Sequence, residues 1–290
     1  MSEERRAILI IGGRGEFGQF LQQEILPHLC PGSISTCERE TPREEYLASL
    51  ERARHVILST PLAGYAETAC ELVEDCRQLR ETRTLWLIPS VQSEIWRAVR
   101  SKLLMSANSH LSAVIAHPMY GPQAFHTRDP TARNFQNILT ARYEAAGHPL
   151  AEELGHIRRA FHQAFNIETR EAFDPQEHDR INASSQGLSY CVARLMFEQT
   201  EIEELVREHL PEMHQSFRAN RELILDFINL NTYMPQVVSA FTNAWRHTAQ
   251  TTLADLLRAF AQADRTLNSG VASRIPTKWY EQLRAASQES

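Results

Sequence analysis

The first half of the chain alternates short apolar runs with amphipathic stretches. The runs are AILII (Ala7 to Ile11), HVILSTP (His55 to Pro61), TLWLIPS (Thr84 to Ser90) and SAVIAHP (Ser112 to Pro118). Each is continuously apolar and closes on small or polar residues, which is typical of strands covered on both faces. The alternation predicts parallel strands crossed by helices.

Three further elements follow from the same pattern. The apolar residues after the first run recur at near-helical spacing, namely Phe17, Phe20, Leu21 and Ile25. They predict a helix that ends near Pro27, because proline lacks a backbone donor. SISTCERE (Ser33 to Glu40) and FQNILTA (Phe135 to Ala141) predict two more strands.

After about residue 150 the periodicity becomes helical and glycines become rare, starting with AEELGHIRRAFHQAF. INASSQGLSYCVARLMF (Ile181 to Phe197) predicts a helix packed inside a domain or at a subunit contact. The sequence therefore predicts an α/β domain over residues 1–150 and a mainly α-helical domain over residues 151–290.

Composition narrows the class of protein. With 290 residues, 42% hydrophobic and 23% charged, the chain can bury a core and fold as a globular protein. The net charge of -6 and the lack of a dense Lys/Arg run argue against nucleic acid or an anionic membrane as partner.

No signal peptide and no apolar span of about 20 residues is apparent, so we expect a cytoplasmic protein. Five scattered cysteines without a C-x-x-C pair argue against disulfides and against a metal site.

A glycine-rich loop follows the first predicted strand. GGRGEFG forms a G-x-G-x-x-G pattern between that strand and the amphipathic helix. In dinucleotide-binding folds such glycines permit a tight turn, admit a pyrophosphate and let helix and strand pack closely. We therefore predict a Rossmann-type domain whose cofactor loop consists of Gly13, Arg14, Gly15, Glu16, Phe17 and Gly18. A turn rich in glycine for steric reasons alone is the alternative.

The predicted cofactor also needs an acid about 20 residues beyond the loop, to bind the adenosine ribose. Glu38 in SISTCERE stands at about that distance and favours NAD, because a carboxylate repels the 2'-phosphate of NADP. Arg39 beside it could accept that phosphate, so NADP is the alternative cofactor. Glu38 could also be a solvated loop acid.

Two polar residues follow predicted strands at the edge where doubly wound folds bind ligands. His117 ends the SAVIAHP run, and an imidazole there can accept a proton, as oxidation of a hydroxyl requires. Ser90 ends the TLWLIPS run and could face the same crevice, or it could be an ordinary helix N-cap or turn serine. His117 and Ser90 are the predicted catalytic residues.

Five motifs follow one another along the chain: GGRGEFG, VILSTPL, IPSVQ, HPMYGP and EHDRINASSQGL. In this order, over roughly residues 7 to 190, the chain resembles the prephenate/arogenate dehydrogenase family of tyrosine biosynthesis. HPMYGP and the E-H-D-x-x-x-A-x-x-Q-G-L pattern carry the resemblance, because the glycine loop is shared with other nucleotide-binding dehydrogenases. RANRELILDF (Arg218 to Phe227) extends it more weakly.

The resemblance implies a helical C-terminal domain that forms a homodimer, with the active site in the cleft between the two domains. It also implies an oxidative decarboxylation. The ring C4 hydride of prephenate or arogenate passes to nicotinamide, a histidine accepts the C4 hydroxyl proton, and carbon dioxide leaves as the ring becomes aromatic. The matching residues are His117 for that histidine, Ser90 for an assisting serine, Thr60 and Pro61 for a loop bordering the dinucleotide, and Gln186 and Tyr190 for substrate contacts.

The chain also departs from the family pattern. Gln92 replaces the lysine usual in S-V-K, and Tyr190 replaces a common histidine or other basic residue. The helical interval after Q-G-L is shorter, and no arginine can be matched to the one that clamps the substrate carboxylate. The arginines that could replace it are Arg180, Arg194, Arg218, Arg221 and Arg246, although each fits a solvated helix face as well.

Two polar clusters allow more than one interpretation. The group Trp245 to His247 is typical both of binding pockets and of helix contacts. The group Glu177 to Asp179 predicts a helix start rather than a metal site, because consecutive helical residues point in different directions. Asp174 and Pro175 would supply its N-cap and first-turn proline, while the family pattern singles out His178.

Three functions compete. The first is an NAD(P)-dependent dehydrogenase acting on a small molecule: prephenate, arogenate or an analogue such as 4-amino-4-deoxyprephenate. The second is a family member with altered or lost dehydrogenase chemistry that serves a specialised pathway or binds nucleotide. Gln92, Tyr190 and the shorter helical region favour it. The third, an unrelated Rossmann reductase, leaves HPMYGP and EHDRINASSQGL unexplained.

Overall fold

A seven-stranded sheet organises the described part of the chain. The computed structural model describes residues 7–29, 32–106, 110–122, 125, 135–171, 174–187, 226–227 and 229–238, with only the backbone of Ser106 and Gln186. The strands are β1 (Ile8–Ile11), β2 (Ile34–Cys37), β3 (His55–Leu58), β4 (Arg83–Leu87), β5 (Leu111–Pro118), β6 (Gln136–Tyr143) and β7 (Glu168–Glu171). Their order across the sheet is β2-β1-β3-β4-β5-β6-β7.

The helices follow the strands in the expected alternation. They are α1 (Glu16–Phe20), α2 (Leu26–Leu29), α3 (Arg43–Arg52), α4 (Tyr65–Asp75), α5 (Ser93–Ser106), α6 (Leu150–Phe165) and α7 (Pro175–Asn182). A π-helical turn (Leu21–Ile25) joins α1 to α2, and a second one (Ala183–Gly187) follows α7. A short 3-10 turn (Cys76–Gln78) follows α4.

The first five strands run parallel, as the apolar runs predict. Leu9, Leu58 and Val114 are fully buried, which fits strands covered by helices on both faces. The chain passes from β1 to β2 on one side and then to β3 on the other side of β1. The strand order therefore reverses at β1, and such a switch point is where this class of fold binds ligands.

The structure differs from the predicted elements or adds to them in three places. Helical structure continues past Pro27 to Leu29, since Pro27 is the second residue of α2, directly after the π-helical turn, and the helix ends two residues beyond it. Strand β6, which the sequence pattern predicts without a direction, runs antiparallel to the neighbouring β5. The sequence pattern missed β7, whose residues ETRE are polar and largely exposed and pair only with β6 at the sheet edge.

The chain divides into two compact units, Met1–Met234 and Pro235–Ser290. The sheet extends past residue 150, because β7 follows α6 and pairs with β6. The predicted boundary at residue 150 therefore falls inside the first unit. The predicted helix Ile181 to Phe197 is described only as far as residue 187, where its first residues complete α7 and the π-helical turn after it.

An aromatic cluster ties the helix after the glycine loop to the segment after β5. Phe20 in α1 contacts Phe125 with ring centroids 5.1 Å apart, and Phe125 stacks on Phe135 at 5.9 Å. The Tyr120 hydroxyl donates to Asn137 Oδ1 at 3.0 Å, which anchors the HPMYGP segment to β6. These contacts join the HPMYGP segment to β6 and to the helix that follows the glycine loop.

Within the described residues, no helix is long and apolar enough to cross a membrane.

Candidate active site

The glycine loop packs tightly at the switch point. Gly12 has a φ of 85°, which favours glycine, and a β-carbon there would collide with the Ser59 carbonyl. A β-carbon on Gly13 would lie 2.5 Å from Thr36 Cγ2, and one on Gly18 would lie 2.5 Å from the Gly12 oxygen. Gly15 is exposed, with its nearest such contact at 3.4 Å. The tight turn falls on Gly12, which the three-glycine pattern does not single out, while Gly13 and Gly18 allow the close packing.

Glu38 holds the same loop from the end of β2. Its Oε1 atom accepts a hydrogen bond from the backbone N of Arg14 at 2.8 Å. The Arg14 guanidinium, which is largely exposed, forms an ion pair with Glu40. The predicted ribose acid is therefore half-buried beside the loop rather than a detached loop acid.

The other predicted loop residues lie around this turn. Glu16 is exposed at the start of α1, whereas Phe17 packs towards the core with its ring 5.7 Å from that of Phe20. Thr60 follows β3, and its buried hydroxyl has no hydrogen-bond partner in the described structure. Pro61 beside it is exposed.

These features fit a dinucleotide. A buried hydroxyl without a partner, a carboxylate at the end of β2 and a close-packed glycine turn before a helix are groups that could hold its sugar and phosphates.

His117 lies at the end of β5 in a buried polar cluster. Its Nδ1 atom is 3.0 Å from Nε2 of His178, which is 2% exposed on α7. His178 Nδ1 is in turn 3.0 Å from Oδ1 of Asp179, which is fully buried. Two imidazoles and one carboxylate thus form a continuous hydrogen-bonded chain ending at His117.

Asp179 is held in place by the start of α5. Its carboxylate accepts from the backbone N of Gln92 at 2.9 Å, from the backbone N of Ser93 at 2.8 Å and from the Ser93 hydroxyl at 2.6 Å. A helix N-terminus stabilises a carboxylate because its first N–H groups have no partner within the helix. Asn231 Nδ2 also donates to the Asp179 carbonyl at 3.1 Å.

Asn182 connects the cluster to Ser90. Its Nδ2 atom lies 3.2 Å from both His117 Nδ1 and His178 Nε2, and donates to the Ser90 carbonyl at 3.4 Å. Ser90 precedes α5 by three residues, so it is not the N-cap of that helix. The structure therefore brings His117 and the backbone of Ser90 to one cluster, with Asn182 between them.

Burial controls the protonation of His117. Desolvation, followed by the repulsion that a positive charge on His178 would exert, lowers the pKa of His117 to about 3, although the Asp179 carboxylate raises it. His117 is therefore neutral near pH 7, which is the form that can accept a proton.

Gln92 fills the position where the family pattern has lysine. Its side chain is fully buried, and its Oε1 atom accepts from the Thr140 hydroxyl at 2.5 Å. Its Nε2 atom donates to the Pro89 carbonyl at 3.4 Å. Gln92 thus joins the β4–α5 connection to β6 without a charge.

The spacing of residues in α7 is the sequence feature that indicates the buried polar cluster. Asp174 caps the helix by accepting from the backbone N of Glu177 at 2.8 Å, and Pro175 occupies its first turn, as predicted. The buried face then consists of Pro175, His178, Asp179 and Asn182. This i, i+3, i+4, i+7 spacing is that of a helix face turned inward, and here it is mostly polar.

Several predicted residues lie outside the described part of the chain. They are Tyr190, the side chain of Gln186, the arginines Arg194, Arg218, Arg221 and Arg246, and the group Trp245 to His247. Arg180 is exposed and donates to Glu177 at 3.5 Å, as expected for a solvated helix face. In the residues that are described, no group of three potential metal ligands occurs.

Two solved structures are similar to the chain over most of its length. Synechocystis arogenate dehydrogenase is 16% identical, with 91% of this chain and 100% of that chain covered and a TM-score of 0.56. A Corynebacterium glutamicum protein provisionally named prephenate dehydrogenase is 13% identical, with 98% and 97% covered and a TM-score of 0.60. These similarities confirm the predicted fold class, and they confirm the motif-based resemblance as a resemblance of fold. No protein-family model and no curated protein sequence matches the chain.

Proposed function

We propose that this protein is an NAD(P)-dependent dehydrogenase that oxidatively decarboxylates prephenate, arogenate or a close analogue. One observation carries the proposal. A buried, neutral His117 ends β5 with a histidine and a carboxylate behind it, on the sheet edge that also bears the glycine loop. The similarity in fold to Synechocystis arogenate dehydrogenase supports the substrate class.

The cofactor would be held by the loops after β1, β2 and β3. The loop from Gly13 to Gly18 would receive the pyrophosphate at the start of α1. Glu38 would accept from the adenosine ribose hydroxyls, which favours NAD over NADP, and Thr60 would use its unpaired hydroxyl on the same ligand. When bound, the nicotinamide accepts hydride from the substrate.

His117 would act on the substrate hydroxyl. Because its imidazole is neutral, it can accept a hydrogen bond from the hydroxyl and take its proton as hydride leaves the same carbon. Ser90, held at the same cluster through Asn182, would orient that hydroxyl. Loss of carbon dioxide then leaves an electron pair that makes the ring aromatic.

Absorbance of the reduced nicotinamide tests the proposal. Purified full-length protein is mixed with NAD or NADP and with prephenate or arogenate. We expect turnover with at least one pairing and its loss in His117→Asn, while dinucleotide affinity measured by calorimetry stays unchanged. Absence of turnover with every pairing would reject this function.

One observation favours the second candidate, a family-like protein with altered chemistry. The buried Gln92 side chain is hydrogen-bonded to Thr140 and Pro89. Because glutamine is uncharged, the β4–α5 connection offers no cation to an anionic ligand. Dinucleotide binding without turnover of either substrate would support this candidate. Formation of a homodimer through the helical region is part of the proposal, and sedimentation velocity tests it.

A further inference from the structure

The buried hydrogen-bonded chain behind His117 fixes where its hydrogen sits. Asp179 receives two backbone N–H groups and one hydroxyl from the start of α5, so its carboxylate is an acceptor on every side. The His178 nitrogen facing it, Nδ1, must then carry a hydrogen. In a neutral imidazole the opposite nitrogen, Nε2, is an acceptor.

The same reasoning passes on to His117. Its Nδ1 atom, 3.0 Å from the His178 Nε2 acceptor, carries the hydrogen of that bond. The His117 Nε2 atom is then left as the basic nitrogen. Asn182 Nδ2 uses one hydrogen on the Ser90 carbonyl and points the other at the same His178 acceptor. In this arrangement His117 Nδ1 and Asn182 Nδ2, which lie 3.2 Å apart, are both donors and share the one lone pair of His178 Nε2.

We infer that His178 and Asp179 form a proton relay behind His117: they keep its Nε2 atom free as the base and take up the charge when it accepts the substrate proton. The inference rests on the proposed function for its substrate. It assigns His178 and Asp179 as positioning and relay residues, because their bonds run to His117 and not to the reacting atoms.

Every proton in the proposed transfer from substrate to His178 can be followed. The substrate hydroxyl proton moves to His117 Nε2, and the hydrogen on His117 Nδ1 moves to His178 Nε2. His178 becomes an imidazolium whose Nδ1–H remains bonded to the Asp179 carboxylate, while His117 is neutral again. When the substrate carboxylate leaves as carbon dioxide, its electron pair enters the ring and returns the oxygen to an anion. That oxygen takes the proton back through the reverse path.

The location of the charge explains why a second imidazole is present. His117 is buried, and desolvation opposes a positive charge on it. His178 has a carboxylate 3.0 Å from its Nδ1 atom, and that carboxylate is itself anchored by α5. A cation on His178 is therefore paired, whereas a cation on His117 is not in contact with the carboxylate.

Asp179→Asn gives a directional test. In the native protein, Asp179 Oδ2 accepts from both Ser93 groups and from Gln92. The single oxygen of asparagine will take that place, so its NH2 group will face His178. A donor there forces the hydrogen of His178 onto Nε2 and that of His117 onto Nε2, which removes the base.

The first readout is the tautomer of each imidazole, from 15N chemical shifts of the free protein labelled at histidine. We expect hydrogen on Nδ1 of both His117 and His178 in the wild type, and on Nε2 of both in Asp179→Asn. The wild type with hydrogen on His117 Nε2 would overturn the inference. Because no substrate is needed, this readout decides the positioning role even if the wild type turns over none of the tested substrates, a result that would reject the proposed function alone.

The second readout is turnover, and His178→Gln separates the relay from mere orientation. The glutamine oxygen can accept from His117 Nδ1–H and keep its tautomer, but it cannot take up a proton. We expect kcat to fall on the order of 10²-fold or more in both variants, as for loss of general base catalysis, with KM changed far less. Wild-type kcat in His178→Gln would overturn the relay.

The control is Glu177→Gln, the same acid-to-amide change on the exposed face of α7. It should keep both the native tautomers and the native kcat. Dinucleotide affinity by calorimetry confirms that each variant is folded. If Asp179→Asn does not fold, the wild-type tautomers and His178→Gln still decide the inference.

Discussion

Burial of a neutral His117 makes the stability of the fold depend on pH. The pKa of His117 is lowered from 6.5 to about 3 in the folded protein, mainly by desolvation. Between these two values the unfolded chain binds a proton at this residue and the folded chain does not. Stability is therefore fully present above pH 6.5 and is lost as the pH falls towards 3.

The size of this effect follows from the shift. At about pH 5, roughly 1.5 pH units below the unfolded pKa, the loss is about 2 kcal/mol at 1.36 kcal/mol per unit. His117→Asn removes the titrating group. Between pH 7.5 and pH 5, the free energy of unfolding of this variant should therefore decrease by about 2 kcal/mol less than that of the wild type. His55 and His148, whose pKa values are also lowered by burial, are present in both proteins and cancel.

Urea unfolding followed by tryptophan fluorescence at the two pH values measures this difference, and Trp96 in the sheet-bearing unit is a buried reporter. His156→Asn is the matched control for a histidine-to-asparagine change, because that side chain is two-thirds exposed on α6. Equal losses of stability in the wild type and His117→Asn would refute the claim that His117 is buried in its neutral form.

Three further changes test other parts of the structure. Gly18→Ala places a β-carbon 2.5 Å from a carbonyl of the glycine loop and should weaken dinucleotide binding by tenfold or more in calorimetry, whereas Gly155→Ala on α6 should not alter it. Asp179→Ala leaves buried donors unpaired and should cost about 3–5 kcal/mol in urea unfolding, against about 1 kcal/mol for loss of the Asp174 cap. Glu38→Gln removes the charge beside the loop and should lower the ratio of NAD to NADP affinity.

The sequence predicts most of the sheet because its strands are buried on both faces. The runs at β1, β3, β4 and β5 are continuously apolar, and such runs can be recognised in one sequence without an alignment. Strand β7 gives no such signal, because its side chains are polar and only backbone pairing with β6 defines it. The direction of β6 depends on the path of the chain after β5, which local periodicity does not encode.

Some residues of the candidate site could likewise be predicted from the sequence, and others could not. His117 could be predicted because it ends an apolar run, and the glycine loop because its spacing has a steric cause. For His178 and Asp179 the sequence predicts a helix start, because adjacent helical residues cannot chelate one ion. The structure shows a different use, in which one residue contacts the other and both lie on the buried face of α7. Only the docking of α7 against α5 and β5 brings them to His117.

Turnover tests the central claim most directly. Wild-type protein and His117→Asn are assayed by absorbance of the reduced nicotinamide, with NAD and NADP each against prephenate and arogenate. The account predicts that the wild type reduces the cofactor with at least one pairing, and that His117→Asn binds the dinucleotide equally well but turns over at least 10²-fold more slowly. Equal turnover in the two proteins, or none in the wild type with any pairing, would contradict it.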